Sequence, residues 1–328
     1  MISFCQFGAG RIGRIHAENI ARHPEARLVK IVDVDGAAAR ALAERTGAGI
    51  GETAAALEDG SIDAVLIASP TPTHAELVEK AARAGKAVFC EKPLDLDHRR
   101  AAASVAVARE CGVPLMVGFN RRFDPNFARL HEQLEGGRIG RLEILSITSR
   151  DPAPPPYDYV KVSGGLFRDM MIHDFDMARW LLGEEPVELF AAASAKVDPE
   201  IGRLGDVDTA LVVLRTASGT LCQISNSRRA SYGYDQRIEA FGEKGMLAAK
   251  NVAESTVEFS GAEGIVGEKP LHFFLERYAE AYRRELDHFV RALAQGRKPM
   301  VTGEDGLKAL ALADAAARSL ASSAPVRL

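Results

Sequence analysis

Four ionisable side chains stand in an otherwise apolar segment near the middle of the chain, SGGLFRDMMIHDFDMARWLLG, residues 163–183. They are Asp169, His173, Asp174 and Asp176, and their neighbours are Met, Ile, Phe, Trp and Leu. Carboxylates and imidazoles are costly to bury without partners, and an ordinary solvated helix face prefers Lys, Glu and Gln. The pattern therefore indicates that something nearby engages these groups.

A helix over residues 167–182 would bring three of these groups together. At about 100° per residue, one polar stripe within about 60° of arc is formed by Asp169, His173, Asp176 and Trp180. Asp174 and Arg179 lie off that stripe, and we interpret them as structural or peripheral. An aspartate four residues before a histidine can orient the imidazole and favour its charged form, which suits a general base for an alcohol proton. Structural Asp/His pairs have the same spacing, so this segment alone leaves both interpretations open.

A second candidate group is Lys92, which follows a predicted strand in the segment FCEKP. The carboxyl ends of strands in an open α/β sheet are where ligands bind, so Glu91 and Lys92 are predicted to lie at a binding edge. Pro93 restricts the backbone of Lys92 and thereby the placement of its ammonium group. A surface lysine beside a turn is the alternative interpretation.

The third candidate site is a glycine-rich turn, GAGRIG, between the first predicted strand and the helix that follows it. Gly8 permits the tight turn, Gly10 lets the backbone approach a pyrophosphate, and Gly13 allows the helix to pack closely on the sheet. The phosphates would lie at the positive N-terminus of that helix. The strand before the turn and the helix after it favour a dinucleotide site over a glycine-rich turn that binds nothing.

An acidic residue at the end of the second predicted strand supports the same conclusion. Asp33 lies twenty residues beyond Gly13, in VDVDG. A carboxylate there accepts hydrogen bonds from the adenosine ribose and repels a 2′-phosphate. Asp35 follows it, and no Arg or Lys is adjacent, so the segment predicts NAD in preference to NADP.

The composition excludes several other classes of protein. The 328 residues carry a formal net charge of −4 without a basic block, so nucleic acid and anionic membrane surfaces are not expected partners. The four cysteines show no ligand-like spacing, and small buried thiols in a reducing cytoplasm are the favoured interpretation. No apolar run reaches membrane-spanning length, and a strand that starts almost at Met1 leaves no room for a signal peptide.

The chain is long enough for two domains, and its pattern changes near residue 120. Before that point short Val/Ile-rich runs alternate with helical segments, which predicts a parallel sheet covered on both faces. After it, several strand-like runs are separated by Gly-containing turns, which predicts a mostly antiparallel sheet with a few helices. A Pro-rich loop, residues 151–165, immediately precedes the polar stripe.

Taken together, GAGRIG, EKP, GFNRRFDP and GGLFRDMMIHDFDMARWL resemble the Gfo/Idh/MocA oxidoreductases over essentially the whole chain. The match over residues 164–182, with SRDP and NSRRASYGYDQR, resembles the inositol 2-dehydrogenase branch of that family. The resemblance implies an NAD-binding Rossmann domain over residues 1–120. It also implies an α+β domain over residues 121–328, with a large, mostly antiparallel open sheet, for substrate binding and oligomerisation. The last helix is expected to pack back on the Rossmann domain, and a homotetramer assembled through the sheet is expected.

The resemblance also implies roles for individual residues. The implied catalytic group is Lys92, Asp169 and His173. The implied polyol-binding group is Lys92, Arg122, Asp169, His173 and Asp176, with Asp151, Tyr232 and Tyr234 as weaker candidates. The predicted NAD-binding group is Gly8, Gly10, Arg11, Ile12, Gly13, Asp33, Ser69, Thr71, Glu91 and Lys92. No metal is expected, and His74 is assigned no chemistry.

The predicted reaction is NAD-dependent oxidation of myo-inositol to 2-inosose. His173 would remove the hydroxyl proton, Asp169 would stabilise the imidazolium, and Lys92 would hydrogen-bond the reacting oxygen. A related dehydrogenase of scyllo-inositol, glucose or another cyclic polyol is the first alternative, because such pockets share hydroxyl-binding groups. A ligand sensor that binds NAD without catalysis is the second, and a dehydratase or glycosidase-like use of NAD is the third.

Overall fold

The first part of the chain forms a six-stranded sheet, in a computed structural model that describes all 328 residues. Its strands are β1 (Ile2–Phe7), β2 (Ala26–Val32), β3 (Gly49–Ile50), β4 (Ala64–Ile67), β5 (Ala87–Glu91) and β6 (Leu115–Gly118). All neighbours are parallel, in the order β3-β2-β1-β4-β5-β6. The strand order reverses between β1 and β4, so the carboxyl ends of these two strands border the switch point of a Rossmann sheet.

Five helices connect these strands: α1 (Arg11–Arg22), α2 (Gly36–Thr46), α3 (Thr53–Glu58), α4 (His74–Arg83) and α5 (His98–Glu110). The strands β4 and β5 are buried along their whole length, as expected for a parallel sheet with helices on both faces. Asp35 and Asp97 begin α2 and α5, where each carboxylate accepts two backbone N–H groups of the first turn. The parallel α/β architecture predicted from the sequence is confirmed.

The remaining strands build a larger sheet and a separate hairpin. They are β7 (Leu142–Arg150), β8 (Pro186–Ser194), β9 (Thr209–Thr216), β10 (Leu221–Ser227), β11 (Asp235–Gly242), β12 (Gly245–Ala249), β13 (Glu258–Gly261), β14 (Gly264–Gly267) and β15 (Val326–Arg327). The large sheet has the order β12-β11-β7-β10-β9-β8-β15. Only β7 and β10 are parallel neighbours, so the prediction of a mostly antiparallel sheet is confirmed.

The helices of the second part are α6 (Pro125–Glu135), α7 (Tyr157–Val160), α8 (Gly165–Asp169), α9 (Ile172–Leu182), α10 (Pro199–Arg203), α11 (Phe274–Arg277), α12 (Ala279–Ala294) and α13 (Gly303–Ser322). No helix is both long enough and apolar enough to cross a lipid bilayer. Along β9 the burial alternates, with Val212 and Leu214 fully buried and Leu211 59% exposed. One face of the large sheet therefore carries the core, and the other presents apolar side chains to the surface.

The prediction of one continuous helix over residues 167–182 is wrong, because the chain turns between α8 and α9. The N–H groups of Met170 and Met171 both bond to the carbonyl of Leu166, which ends the first helix after Asp169. Gly165 has a φ of +82°, a conformation that L side chains rarely adopt, and sets the start of α8. Asp169 thus ends one helix, and His173 is the second residue of the next.

The chain divides into two compact units. The first contains residues 1–123 and 281–310, and the second contains residues 124–280 and 311–328. The segment 281–310, which holds most of α12 and the start of α13, thus belongs to the unit of the parallel sheet. The domain boundary expected near residue 120, with the last helix packed back on the Rossmann domain, stays a prediction.

Candidate active site

The glycine-rich turn lies at the switch point of the parallel sheet, and two of its three glycines have no room for a side chain. Gly8 has a φ of +101°, and a Cβ there would lie 2.4 Å from the carbonyl oxygen of Ala68. A Cβ on Gly13 would lie 2.2 Å from the carbonyl oxygen of Gly8, whereas Gly10 faces open space. The buried amide of Gln6 donates to the carbonyls of Gly8 and Gly13 at 2.8 and 2.7 Å. The turn is therefore held from below, with its backbone accessible at Gly10.

The N-terminus of α1 fits a bound pyrophosphate. Gly10 begins the helix without a side-chain cap, and the first turn, which includes Arg11 and Ile12, holds no acidic residue. The N–H groups of this first turn and the positive end of the helix dipole therefore suit an anion.

Asp33 lies beside this turn at the end of β2. Its Oδ2 accepts the N–H of Ala9 at 2.6 Å, and its Oδ1 accepts the N–H of Asp35 at 2.8 Å. Each carboxylate oxygen keeps a further lone pair, so the same group can accept ribose hydroxyls. A cavity of about 160 Å³ opens next to it, between α1 and α2, lined by Ala9, Arg14, Ala38, Ala41, Leu42 and Arg45. The position and the mostly apolar lining suit an adenine ring.

The turns after β4 and β5 share the carboxyl edge of the sheet with the glycine turn. Ser69 and Thr71 follow β4, and the Ser69 hydroxyl lies 2.6 Å from that of Thr73. Lys92 follows β5, and its peptide bond to Pro93 is cis. His74 is buried between the two turns, with Nδ1 2.7 Å from the carbonyl oxygen of Pro93 and Nε2 2.8 Å from that of Ser69. His74 therefore fixes one turn against the other.

Glu91, the residue before Lys92, is tied to the helix that begins at the glycine turn. Its Oε1 lies 2.7 Å from Nε2 of His16, which is fully buried against the rings of Phe89 and Tyr282. Glu285 of α12 is also fully buried, and neither of its carboxylate oxygens has a hydrogen-bond partner. Burial, with the charge of Glu91 adding to it, raises the pKa of Glu285 well above 4.5, which favours the neutral acid.

In the second unit, Asp169 is held by two partners that the sequence did not indicate. The hydroxyl of Tyr159 donates to its Oδ1 at 2.8 Å, and Nη2 of Arg228 donates to its Oδ2 at 3.0 Å. Arg228 Nη1 also lies 3.7 Å from Oδ2 of Asp151. Two of the predicted substrate residues, Asp151 and Asp169, therefore lie beside one buried guanidinium. The predicted pairing of Asp169 with His173 stays a prediction.

The acidic residues of α9 are buried in different surroundings. Asp174 is fully buried and accepts hydrogen bonds from Ser149 at 2.6 Å and Asn226 at 2.9 Å, which joins the helix to β7 and β10. Asp176 is also fully buried, with Oδ1 3.9 Å from Nη1 of Arg179. The structural interpretation of Asp174 agrees with these contacts, and a substrate role for Asp176 stays a prediction.

The other predicted substrate residues have protein partners of their own. Arg122, in the 3-10 turn after β6, donates to Asp305 at 2.9 Å. The hydroxyl of Tyr232 donates to Asp235 at 2.5 Å and accepts from Arg150 at 3.2 Å. Tyr234 is buried with its ring against Tyr278 and Phe273. None of these contacts decides a substrate role, so the roles of Arg122, Tyr232 and Tyr234 stay predictions.

Comparison with known proteins places both halves of the chain. Residues 2–119 match the model of the oxidoreductase family with an NAD-binding Rossmann fold, and residues 127–248 match the GFO/IDH/MocA C-terminal domain. The inositol 2-dehydrogenase of Rhizobium meliloti (strain 1021) is 52% identical over 321 residues, 98% of this chain and 97% of that protein. The myo-inositol 2-dehydrogenase of Thermotoga maritima is 51% identical over 323 residues, again 98% and 97% of the two chains.

A solved structure extends the comparison to a more distant relative. The scyllo-inositol dehydrogenase from Lactobacillus casei, with bound cofactor NAD(H) and scyllo-inositol, superposes with a TM-score of 0.92 at 30% identity. The match covers 100% of this chain and 99% of that one. Because both family models match and two relatives are more than 50% identical to it, the chain is a member of the Gfo/Idh/MocA family of NAD-dependent oxidoreductases.

Proposed function

We propose that this dehydrogenase oxidises one ring hydroxyl of myo-inositol to the ketone, 2-inosose, and passes the hydride to NAD. The observation that carries the proposal is sequence identity. The chain is 52% and 51% identical, over nearly the full length, to relatives named as inositol 2-dehydrogenase and myo-inositol 2-dehydrogenase. In this proposal, polar residues of α8, α9 and the turn after β5 would supply the proton-transfer and hydroxyl-binding groups that such a reaction needs.

The reaction separates a proton and a hydride from one carbinol. In our proposal His173 accepts the hydroxyl proton, and Asp169, fixed by Tyr159 and Arg228, stabilises the imidazolium that forms. Lys92 donates a hydrogen bond to the reacting oxygen while negative charge develops there, and the carbon–oxygen bond becomes a carbonyl as the hydride leaves the carbon. NAD, bound at the glycine turn and Asp33, supplies the hydride acceptor. A positioned general base contributes about 10²–10⁴-fold to such a rate.

A cyclic polyol presents several hydroxyls, each of which can donate and accept a hydrogen bond. We propose that Arg122, Asp151, Asp176 and Tyr232 bind the non-reacting hydroxyls, with Tyr234 contributing shape. We propose that the predicted cofactor group, Gly8, Gly10, Arg11, Ile12, Gly13, Asp33, Ser69, Thr71, Glu91 and Lys92, holds NAD.

The test is steady-state NADH production over a panel of myo-inositol, scyllo-inositol and glucose, with NAD and NADP side by side. His173→Ala, Asp169→Asn and Lys92→Ala are each expected to lower kcat at least 10²-fold while NAD still binds, and the exposed His272 gives a matched control, His272→Ala. A catalytic variant that turns over myo-inositol like the wild type would remove that residue from the mechanism.

The alternatives predict different results in the same panel. A preference for scyllo-inositol or glucose would make the chain a related polyol dehydrogenase. The match to the scyllo-inositol dehydrogenase of Lactobacillus casei supports including scyllo-inositol in the panel. Tight NAD binding without turnover of any polyol would identify a ligand sensor.

We further propose a homotetramer in the cytoplasm. The outer face of the large sheet carries exposed apolar side chains, which are Ile144, Phe190, Leu211, Val213 and Phe241. An apolar patch of this kind is typical of a subunit interface. Light scattering should give four chains per particle at micromolar concentration, and Leu211→Glu with Val213→Glu should yield smaller particles. All four cysteines are free, which suits a reducing compartment, and cell fractionation tests the location.

A further inference from the structure

The guanidinium of Arg228 is a buried cation between two carboxylates of the proposed site. The residue is only 2% exposed, and its terminal nitrogens lie 3.0 Å from Asp169 and 3.7 Å from Asp151. Its Nε is buried without a hydrogen-bond acceptor. The side chain thus directs its terminal nitrogens toward the two acids although this orientation leaves one buried donor unsatisfied, which is uncommon in native structures.

The backbone on both sides of this group is fixed by the large sheet. Arg228 directly follows β10, and its N–H donates to the carbonyl of Asp208 at 2.8 Å. Asp151 directly follows β7, and its N–H donates to the carbonyl of Ser227 at 2.9 Å. Because β7 and β10 are parallel neighbours, their carboxyl ends meet, and Arg228 and Asp151 project from adjacent positions of one rigid edge.

Asp169 is held from two directions. Arg228 contacts Oδ2 from the sheet, and the Tyr159 hydroxyl contacts Oδ1 from α7. Asp169 itself lies at the end of a five-residue helix, where the chain turns before α9 and His173. A short helix followed by a turn does little to fix the direction of a side chain, so these two contacts help to fix where the carboxylate points.

We propose that Arg228 is a positioning residue for the dehydrogenase reaction, acting through Asp169. A guanidinium is charged at every physiological pH and stabilises the anionic form of a carboxylate that it contacts. It therefore keeps the Asp169 carboxylate correctly directed, so that it can stabilise the imidazolium of His173 in the transition state. This inference rests on the proposed function, because it needs Asp169 to act on the imidazole.

The decisive experiment is a double-mutant cycle with Arg228→Gln and Asp169→Asn, measured as kcat and KM for myo-inositol. Arg228→Gln alone should lower kcat about 10²-fold and change KM less than about 3-fold, since misplacing a catalytic group by about 1 Å has an effect of this size. In the Asp169→Asn background the same substitution should cost less than about 3-fold, because the group through which Arg228 acts has already been altered. Arg228→Lys, which keeps the charge but loses the planar fork, should recover part of the rate.

The adjacent exposed residue provides the matched control. Arg229 donates to the carbonyl of Val197 at the surface, and Arg229→Gln should leave kcat within about 2-fold of the wild type. Equal losses for Arg228→Gln in the wild-type and Asp169→Asn backgrounds would overturn the proposal, as would a kcat loss below about 3-fold in the wild-type background.

A second readout separates this inference from the proposed function. The His173 imidazole signal in a ¹H–¹⁵N spectrum, assigned by its absence from His173→Ala, reports the surroundings of the ring without turnover. Arg228→Gln should shift this signal relative to the wild type. The same substitution added to Asp169→Asn should shift the signal little relative to Asp169→Asn alone. A signal unmoved by Arg228→Gln would overturn the inference even if myo-inositol is the substrate. A moved signal in a protein that oxidises no polyol would overturn the proposed function alone.

Discussion

The backbone N–H of Ala9 donates a hydrogen bond to Oδ2 of Asp33 at 2.6 Å, so the acid at the end of β2 directly supports the glycine turn after β1. The same carboxylate is the one predicted to accept the ribose hydroxyls of NAD. Its two tasks are compatible, because each carboxylate oxygen can accept more than one hydrogen bond. Cofactor choice and the shape of the glycine turn thus depend on one side chain.

Asp33→Ser is expected to weaken the binding of NAD and to relieve the repulsion between this carboxylate and the 2′-phosphate of NADP. The ratio of kcat/KM for NADP to that for NAD should rise about 10²-fold, because one charge–charge contact is lost and one charge-assisted hydrogen bond disappears. Initial rates with both cofactors at saturating substrate measure it. Asp35→Ser is the control: Asp35 accepts the N–H groups of Ala37 and Ala38 and should leave the cofactor ratio unchanged. An equal rise in both variants would show that Asp33 does not select the cofactor.

Much of the fold could be predicted because its signals are local. The GAGRIG turn, the Val/Ile-rich strands and the Gly-containing hairpins specify their structures within a few residues. The parallel sheet and the mostly antiparallel sheet were therefore both predicted correctly. The segment 281–310 was harder to place, because an amphipathic helix shows that it has a partner without showing which one.

The candidate site shows where local patterns fail. The start of α8, the helix that ends at Asp169, depends on Gly165 and on Asp206, whose carboxylate accepts the N–H of Leu166 from 40 residues away. Arg228 meets Asp169 across 59 residues of chain, and helical periodicity contains no information on such a contact. The periodicity predicted which residues are polar inside an apolar segment, and it could not predict their partners.

Asp174→Asn should destabilise the second unit. The fully buried carboxylate accepts hydrogen bonds from Ser149 and Asn226, and an amide must turn its NH₂ group toward one of these donors. A buried hydrogen bond to a charged group contributes about 1.5–3 kcal/mol, and Asn offers the two donors one neutral acceptor in place of the carboxylate. Urea unfolding should therefore show a loss in this range for Asp174→Asn, with a smaller loss for Ser149→Ala. Unchanged unfolding midpoints in both variants would contradict the role assigned to this network.

Glu285→Gln should stabilise the protein, and increasingly so as the pH rises. The pKa of Glu285 is raised well above 4.5 by burial and then by Glu91, so the folded protein binds a proton that the unfolded chain releases near pH 4.5. Wild-type stability is therefore full below that pH and falls as the pH rises toward the folded pKa, by up to about 1.4 kcal/mol per pH unit. Glutamine removes this dependence.

The measurement is the free energy of urea unfolding at pH 5 and pH 8 for the wild type and Glu285→Gln. The stabilising difference should be larger at pH 8. The exposed Glu268 gives a control, Glu268→Gln. Its free energy of unfolding should differ little from that of the wild type at either pH. A difference for Glu285→Gln that is the same at both pH values would show that Glu285 is ionised in the folded protein.

Thiol reactivity should single out Cys111. It is exposed just after α5, whereas Cys5, Cys90 and Cys222 are buried. Burial raises the pKa of Cys5 to about 12, and the pKa values of Cys90 and Cys222 are raised for the same reason. Because the thiolate is the reactive form, native protein at pH 8 should release about one equivalent of thionitrobenzoate from Ellman's reagent, and about four after unfolding. Cys111→Ser should abolish the native signal. A second thiol that reacts at a comparable rate in the native protein would mean that one of the two sheets opens far more readily than its fully buried strands indicate.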